Sequence, residues 1–108
     1  MKNTIKLNRE FAYAYKKGTK IVTDTLVLYA YVNRQSQTKL GLTVSTALGG
    51  AVVRNRLKRL MRAAFSARKD DVKKGYNIII AARGRMKGAE FTKICADLDY
   101  SLKKAALL

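Results

Sequence analysis

The feature that most constrains this chain is a predicted helix over residues 52–68 with an apolar stripe on one side and a cationic stripe on the other. On a helical wheel of about 100° per residue, the apolar side chains lie within about 80° of Leu57. They are Val53, Leu60, Met61, Ala64 and Phe65. The opposite arc holds Asn55, Arg56, Lys58, Arg59 and Arg62, and Arg54 lies at the seam between the two arcs. Such a helix needs a core on one side and open surface on the other, so it predicts a packed domain.

The charge of this helix indicates a polyanionic partner. The chain has 23 Lys and Arg against 7 Asp and Glu, a net charge of +16, and no acidic residue lies between Asp24 and Asp70. A merely solvated helix face usually intersperses carboxylates, which relieve the repulsion between neighbouring cations. Arginine predominates here, and its guanidinium group suits bidentate contacts with phosphate. An anionic membrane is the weaker alternative, because the apolar stripe is needed for a core and the chain has no Trp.

Composition excludes several classes of function. Without His, the chain has no His base and no His-ligated metal, and with a single Cys it has no internal disulfide and no multi-Cys metal site. The hydrophobic fraction of 48% is too high for a disordered basic tail. We therefore expect one domain over residues 1–108. The N-terminus shows no apolar signal region, so we expect a cytoplasmic protein.

The remaining elements follow from periodicity and turn residues. Asn8 can cap a helix over 9–17 that Gly18 ends, and a regular apolar stripe from Phe91 to Ala105 predicts the last helix. Strands are predicted over 25–32, 38–45 and 76–82, with a β-branched stretch before the first that can add another, and 83–88 is a basic loop. The second strand alternates, so one face is predicted to be core and the other open and mostly polar. The fold class is α+β, with at least three strands and three helices.

Aromatic residues beside the cationic helix favour single-stranded RNA over duplex DNA. Tyr29 and Tyr31 share one face of a predicted strand, and Phe11 and Tyr15 lie four apart on the first helix. Aromatic rings near a cationic groove can stack unpaired bases. Core packing explains any one of these rings at least as well, so both interpretations stay open at this point.

The residues then suggest a family. The letters GLTVS over 41–45 and GGAVVRNRLKRLMRAAF over 49–65 resemble the Arg-Asn-Arg signature of the bacterial ribonuclease P protein subunit. The segments 11–18, 26–29 and 76–83 are similar to that family as well, in the same order and spacing. The resemblance thus covers nearly the whole chain.

The resemblance implies both a fold and a function. The fold is a two-layer α+β sandwich of a mainly antiparallel sheet and three helices, with a left-handed βαβ crossover through the cationic helix, against the usual rule. The function is to bind a large catalytic RNA and the 5′ leader of precursor tRNA, and to assist the removal of that leader. Magnesium ions held mainly by the RNA hydrolyse the scissile phosphate. The chain itself carries no catalytic residue and no metal ligand, and it requires no membrane and no protein partner.

The resemblance also implies roles for particular residues. Those expected to contact the leader and precursor tRNA in a central cleft are Phe11, Tyr15, Val27, Tyr29, Ser45, Arg54, Asn55 and Lys58. Those expected to face the catalytic RNA are Arg56, Arg59, Arg62 and Arg68. One departure stands out, because Thr46 and Ala47 occupy the place of a Lys pair found in many members. Arg34, Lys39 and the basic segment 83–87 are candidates to compensate.

Two other function classes remain as alternatives to this assignment. One is a structural RNA-binding protein of the ribosomal type, which is equally small and basic. The other is a protein-only nuclease, for which the chain offers only seven scattered carboxylates.

Overall fold

The computed structural model describes Ile5 and residues 8–108. The helices are α1 (Asn8–Lys17), α2 (Ala51–Ser66) and α3 (Phe91–Lys104), and the strands are β1 (Thr19–Val22), β2 (Leu26–Val32), β3 (Lys39–Thr43) and β4 (Tyr76–Ala82). The α+β class is confirmed. The β-branched stretch forms β1, and the predicted boundaries of the other strands are right to within two residues. Short 3₁₀ turns at Thr46–Leu48 and Gly84–Gly88 complete the chain, the second lying within the segment predicted to be a loop.

The four strands form one mixed sheet in the order β1-β2-β4-β3. β1 pairs with β2 and β2 with β4 in antiparallel fashion, whereas β3 and β4 are parallel. Parallel neighbours need a crossover connection, and α2 supplies it between β3 and β4. This is the connection for which the resemblance implies a left-handed path.

The main core lies between one face of the sheet and the helices α2 and α3. Leu28 of β2 and Ile80 of β4 point into it, and Leu57 of α2 and Leu98 of α3 close it, each with about one per cent exposure or less. Met86 anchors the second 3₁₀ turn in the same core. Cys95 is half-buried against this cluster, and burial is the main cause that raises the pKa of its thiol.

The opposite face of the sheet carries α1 and a second, smaller core. Ala14 of α1, Ile79 of β4 and Ile5 are buried there. The expectation that this face of β3 is open was wrong at Gly41, which is buried. A Cβ at Gly41 would lie 3.0 Å from Cζ of Phe11 and 3.3 Å from Cβ of Ile5. The missing side chain therefore leaves the space that Phe11 fills.

A polar network centred on Asn77 of β4 fastens α1 to the sheet. The buried Asn77 amide donates to the hydroxyl of Tyr31 at 2.7 Å and to the carboxylate of Glu10 in α1 at 3.3 Å. It accepts a hydrogen bond from Asn33 at 2.8 Å. Lys39 adds an ion pair with Glu10 at 3.6 Å. A buried amide is costly unless its hydrogen bonds are made, so this network defines where α1 sits.

Within the part of the chain that the structure describes, no helix is both long and apolar enough to cross a bilayer.

Candidate nucleic-acid interface

The helix α2 has the two faces that its sequence predicts. Leu57, Met61, Ala64 and Phe65 are buried in the main core. Arg54 and Lys58 are half-buried and flank the helix. We call the exposed arginines Arg56, Arg59 and Arg62 the cationic face; Asn55, predicted to contact the leader, is exposed on the same helix. The predicted orientation of the helix is therefore confirmed, including the position of Arg54 at the seam.

Intramolecular carboxylates do not neutralise these cations. Across Ile5 and residues 8–108, no ion pair involves an Arg or Lys of α2. Two of these side chains instead donate to backbone carbonyls: Arg54 Nε to Gly49 at 3.2 Å, and Arg56 to Lys87 at 3.1 Å. A carbonyl restricts a guanidinium group without cancelling its charge. The cationic face thus keeps the charge that a polyanion requires.

Arg68 differs from the other predicted RNA-facing residues. It lies beyond the end of α2, and its guanidinium group makes a two-point contact with Asp99 of α3, at 2.9 and 2.8 Å. A carboxylate oxygen of Asp71 lies 3.7 Å from the same guanidinium group. The hydrogen bond with Asp99 is the main cause that raises the pKa of Arg68. The structure therefore joins Arg68 to α3 and does not group it with the free cations.

Aromatic side chains gather on the other face of the sheet, beside α1. Tyr15 meets Tyr29 edge to face with ring centroids 4.8 Å apart, and Phe11 lies 6.4 Å from Tyr15. Val27 precedes Tyr29 by two residues and shares its face of β2. We call Phe11, Tyr15, Val27 and Tyr29 the aromatic face. Nearly half of the Tyr15 side chain, 46%, is exposed, so its ring is accessible to a ligand.

The structure adds two residues that sequence reasoning left out of this face. Lys20 of β1 places its ammonium group 5.9 Å from the centre of the Tyr29 ring. Tyr13 is 53% exposed and meets Tyr31 edge to face at 4.7 Å, which forms a second aromatic pair. The alternation of β2 already placed Tyr31 beside Tyr29. Nothing local in the sequence, however, pairs Tyr13 or Lys20 with that strand.

The two faces lie on opposite sides of the sheet and meet at β3, its edge strand. Phe11 packs over Gly41 on one side of β3, and α2 packs against β3 on the other. Among the described residues, no hydrogen bond joins the four residues of the aromatic face to α2. The predicted cleft residues therefore form two groups on either side of an edge strand.

Ser45 lies between these groups, where β3 leads into α2. Its hydroxyl accepts a hydrogen bond from the Ala47 N–H at 3.1 Å and caps the first 3₁₀ turn. Thr46 and Ala47, which replace the Lys pair, are exposed in that turn. A Cβ on Gly84 would lie 3.8 Å from Leu48, so the second 3₁₀ turn packs beside the first.

The three candidates to compensate for the missing Lys pair differ in whether a carboxylate of the chain already pairs with them. Lys39 is paired with Glu10, and within the basic segment 83–87 Arg85 is paired with Asp24 at 2.8 Å. Arg34 is exposed, in a turn where its φ is 60°. The exposed Lys87 keeps its ammonium group out of any ion pair within the described residues.

The carboxylates support the fold and do not converge on a site. Asp97 accepts hydrogen bonds from the Thr25 N–H at 3.0 Å and from its hydroxyl at 2.6 Å, and it pairs with Lys93 at 3.1 Å. Burial alone would raise the pKa of Asp97, but the bonds from Thr25 and Lys93 outweigh it and lower the pKa. Across Ile5 and residues 8–108, no three Asp, Glu or Cys side chains lie close enough together to hold a metal ion.

The chain is also similar to known proteins over nearly its full length. A family profile described as Ribonuclease P matches residues 1–106. The chain is 39% identical over 105 residues to the ribonuclease P protein component of Clostridium kluyveri, a match that spans 95% of this chain and 94% of that protein. It is 37% identical to the corresponding component of Shouchella clausii, over 96% of this chain and 86% of that protein.

Solved structures show the same fold. The RNase P protein of Staphylococcus aureus superposes with a TM-score of 0.88 at 33% identity, and the match covers 99% of this chain and 98% of that one. The RNase P protein of Thermotoga maritima superposes with a TM-score of 0.84 at 27% identity, over 94% and 96%. On the family profile and these full-length matches, the chain belongs to the bacterial ribonuclease P protein family and is a component of the ribonuclease P holoenzyme, which acts in tRNA processing.

Proposed function

We propose that this chain binds the catalytic RNA of ribonuclease P through its cationic face and the 5′ leader of precursor tRNA through its aromatic face. The proposal rests on one observation: two surfaces of different chemical character lie on opposite sides of the sheet. Arginines without carboxylate partners lie on α2, and accessible aromatic rings lie beside α1. One face suits a phosphate-rich folded RNA, and the other suits unpaired bases.

The exposed arginines support the contact with the catalytic RNA. Arg59 and Arg62 point away from the core and have no ion-pair partner within the described residues. Arginine binds phosphate oxygens through paired donors, and each contact releases counterions, so the affinity falls as salt rises. Arg68 is expected to contribute less to this contact, because Asp99 already occupies its donors.

The aromatic face and the flank of α2 support the contact with the leader. Tyr15 and Tyr29 offer ring surface for stacking, and Lys20 adds a cation beside Tyr29. Arg54 and Lys58 are half-buried on the flank of α2, and in this proposal they contact leader phosphates at the edge of the sheet. Stacking tolerates any base, so this combination suits a leader of variable sequence.

The chemistry of cleavage belongs to the RNA in this proposal. Magnesium ions, when bound by the catalytic RNA, would activate the water that hydrolyses the scissile phosphate. The described part of this chain offers no carboxylate cluster for such ions. Its own residues bind the two RNAs and orient the leader.

Reconstitution tests the proposal as a whole. The protein is added to the catalytic RNA at low magnesium, and cleavage of precursor tRNA is measured. We expect strong stimulation by the protein and no cleavage by the protein alone. An absence of stimulation would favour a purely structural RNA-binding role, and cleavage without the RNA would indicate a protein-only nuclease.

Paired variants test the division between the faces. Arg54→Ala with Lys58→Ala should weaken the binding of precursor tRNA more than that of mature tRNA. For a single strand, the loss of two phosphate contacts should reduce the steepness of the plot of log affinity against log salt concentration by about 1.4. Arg59→Ala with Arg62→Ala should instead weaken assembly with the catalytic RNA. The division is wrong if the first pair weakens both tRNAs equally or if the second pair leaves assembly unchanged.

A further inference from the structure

A cavity of about 620 Å³ opens beside the C-terminal half of α2, away from the aromatic face. It lies where that half of the helix meets the start of β3 and the segment 69–74 that leads to β4. No residue of the aromatic face lines it. Cavities of roughly 300–1,000 Å³ accommodate small-molecule ligands, so one nucleotide fits within this volume.

The floor of the cavity is apolar and rigid. Leu40 of β3, Phe65 of α2 and Val72 line it. Each is less than a tenth exposed and belongs to the main core. A floor built from core side chains keeps its shape, and the Phe65 ring at its surface can contact a planar group.

The rim of the cavity is cationic. Arg62, Lys69 and Lys74 line it together with one acid, Asp70. None of the four takes part in an ion pair within the described residues. The rim therefore carries a net positive charge that the protein does not neutralise.

An apolar floor below a cationic rim matches the chemistry of an unpaired nucleotide. A base is planar and largely apolar on its faces, and phosphates flank it on either side. Bases within a duplex are covered by their neighbours, whereas those of loops and bulges can turn outward and be bound singly. An unpaired nucleotide therefore uses both parts of this cavity, whereas a paired one reaches only the rim.

We propose that one unpaired nucleotide of the catalytic RNA inserts its base into this cavity, while Lys69 and Lys74 contact its flanking phosphates. Arg62 connects the cavity to the cationic face, since it belongs to both. This continuity identifies the catalytic RNA, and not the leader, as the source of the nucleotide. The inference rests on the proposed function and adds a site at the C-terminal end of α2.

Two variants separate insertion of the base from contact with phosphates. Ser66→Trp adds a bulky side chain at an exposed position that lines the cavity, and it keeps every charge. Lys69→Ala with Lys74→Ala removes the two cations. The matched control is Lys16→Ala with Lys17→Ala, two exposed lysines of α1 across the sheet. Circular dichroism and thermal melting confirm that each variant folds.

The assay is the affinity of each protein for the full-length catalytic RNA as a function of salt. We expect Ser66→Trp to weaken binding about tenfold with an unchanged salt slope, in line with the loss of one stacked base. The Lys69→Ala, Lys74→Ala variant should make the fall of log affinity with log salt concentration less steep by about 1.4. The control variant should reduce this steepness less. Chemical probing of the RNA should show one unpaired nucleotide that the wild type protects and Ser66→Trp leaves exposed.

If the Ser66→Trp protein binds the catalytic RNA as tightly as the wild type does, base insertion is wrong, even if the lysine variant loses affinity. An equal loss for the lysine variant and its control would overturn the phosphate contacts. Arg59→Ala, outside the cavity, reports on the proposed function separately. If Arg59→Ala weakens assembly and the cavity variants do not, the cavity site fails while the proposed function stands.

Discussion

Replacing Asn77 with Ala should loosen α1 and thereby reduce recognition of the leader. Asn77 is buried in β4 and is not itself a proposed RNA contact, but it fastens α1 through Glu10 and Tyr31. Two members of the aromatic face, Phe11 and Tyr15, lie on α1. The variant therefore tests whether this buried polar network determines the binding geometry of the aromatic face.

The expected cost follows from the bonds that are lost. Asn77 donates to Tyr31 and Glu10 and accepts from Asn33. At roughly 0.5–1.5 kcal/mol for each net hydrogen bond, the loss of three bonds should lower the free energy of unfolding by about 1.5–4.5 kcal/mol. The Asn33 amide keeps its bond to the Gln37 carbonyl, at 3.1 Å, and so retains one partner. Domains of this size are stable by about 5–15 kcal/mol, so we expect the variant to fold.

The assay compares the affinity of the reconstituted holoenzyme for precursor tRNA and for mature tRNA. Leader recognition is the ratio of these affinities, and it should fall in the Asn77→Ala holoenzyme. Assembly with the catalytic RNA should stay unchanged, because α2 lies on the other side of the sheet. Urea denaturation of the free protein measures the loss of stability.

Asp97→Ala is the matched control for a general loss of stability. Asp97 is also buried and polar, but it joins α3 to Thr25 on the opposite side of the sheet. Removing it should cost about 3–5 kcal/mol, because the N–H and hydroxyl of Thr25 lose a charged acceptor. It should leave leader recognition intact. The reasoning is refuted if Asn77→Ala loses stability but keeps its leader recognition, or if Asp97→Ala loses leader recognition to the same degree.

Three further outcomes are expected. Gly49→Ala should destabilise the start of α2, because φ is 150° at Gly49 and the added Cβ would lie 2.9 Å from Cβ of Val53. A lower midpoint of urea denaturation would measure this loss of stability. Thr46→Lys with Ala47→Lys should strengthen binding of the leader at low salt and steepen its salt dependence; an unchanged slope would contradict a role for this turn. The lowered pKa of Asp97 means that its carboxylate stabilises the fold above its ordinary pKa of about 3.9, and that this contribution is lost as the pH falls through its folded-state value. Urea midpoints of wild type and Asp97→Asn should therefore converge in acid.

Local patterns in the sequence predicted most of the elements and the orientation of α2. The 3.6-residue period of its apolar side chains is a property of consecutive residues, so Leu57 and Met61 could be assigned to the core without a partner in view. The same reasoning failed at Gly41. Alternation within β3 predicted an open face, but the residues that cover it, Phe11 and Ile5, are distant in sequence.

The sequence predicted which types of residue form the candidate site, but it predicted less of how these residues are grouped in space. The cationic residues of α2 could be named from the sequence because they repeat along one helix. The aromatic pairs could not, since Tyr13 and Tyr31 meet only when α1 crosses β2. The cavity beside Phe65 likewise left no local signal, because its lining combines residues 37–40 with the distant stretch 62–74.

The sequence by itself determined that this chain has a core-forming helix with an outward cationic side, and that its partner is a polyanion. Both follow from residue spacing and charge, which are present before the chain folds. Only the tertiary structure decided which cations stay free, since Asp99 neutralises Arg68 across 31 positions and Glu10 pairs with Lys39. It also placed α1 and α2 on opposite sides of β3 and β4. Contacts between residues remote along the chain depend on how the elements pack, and no local pattern encodes them.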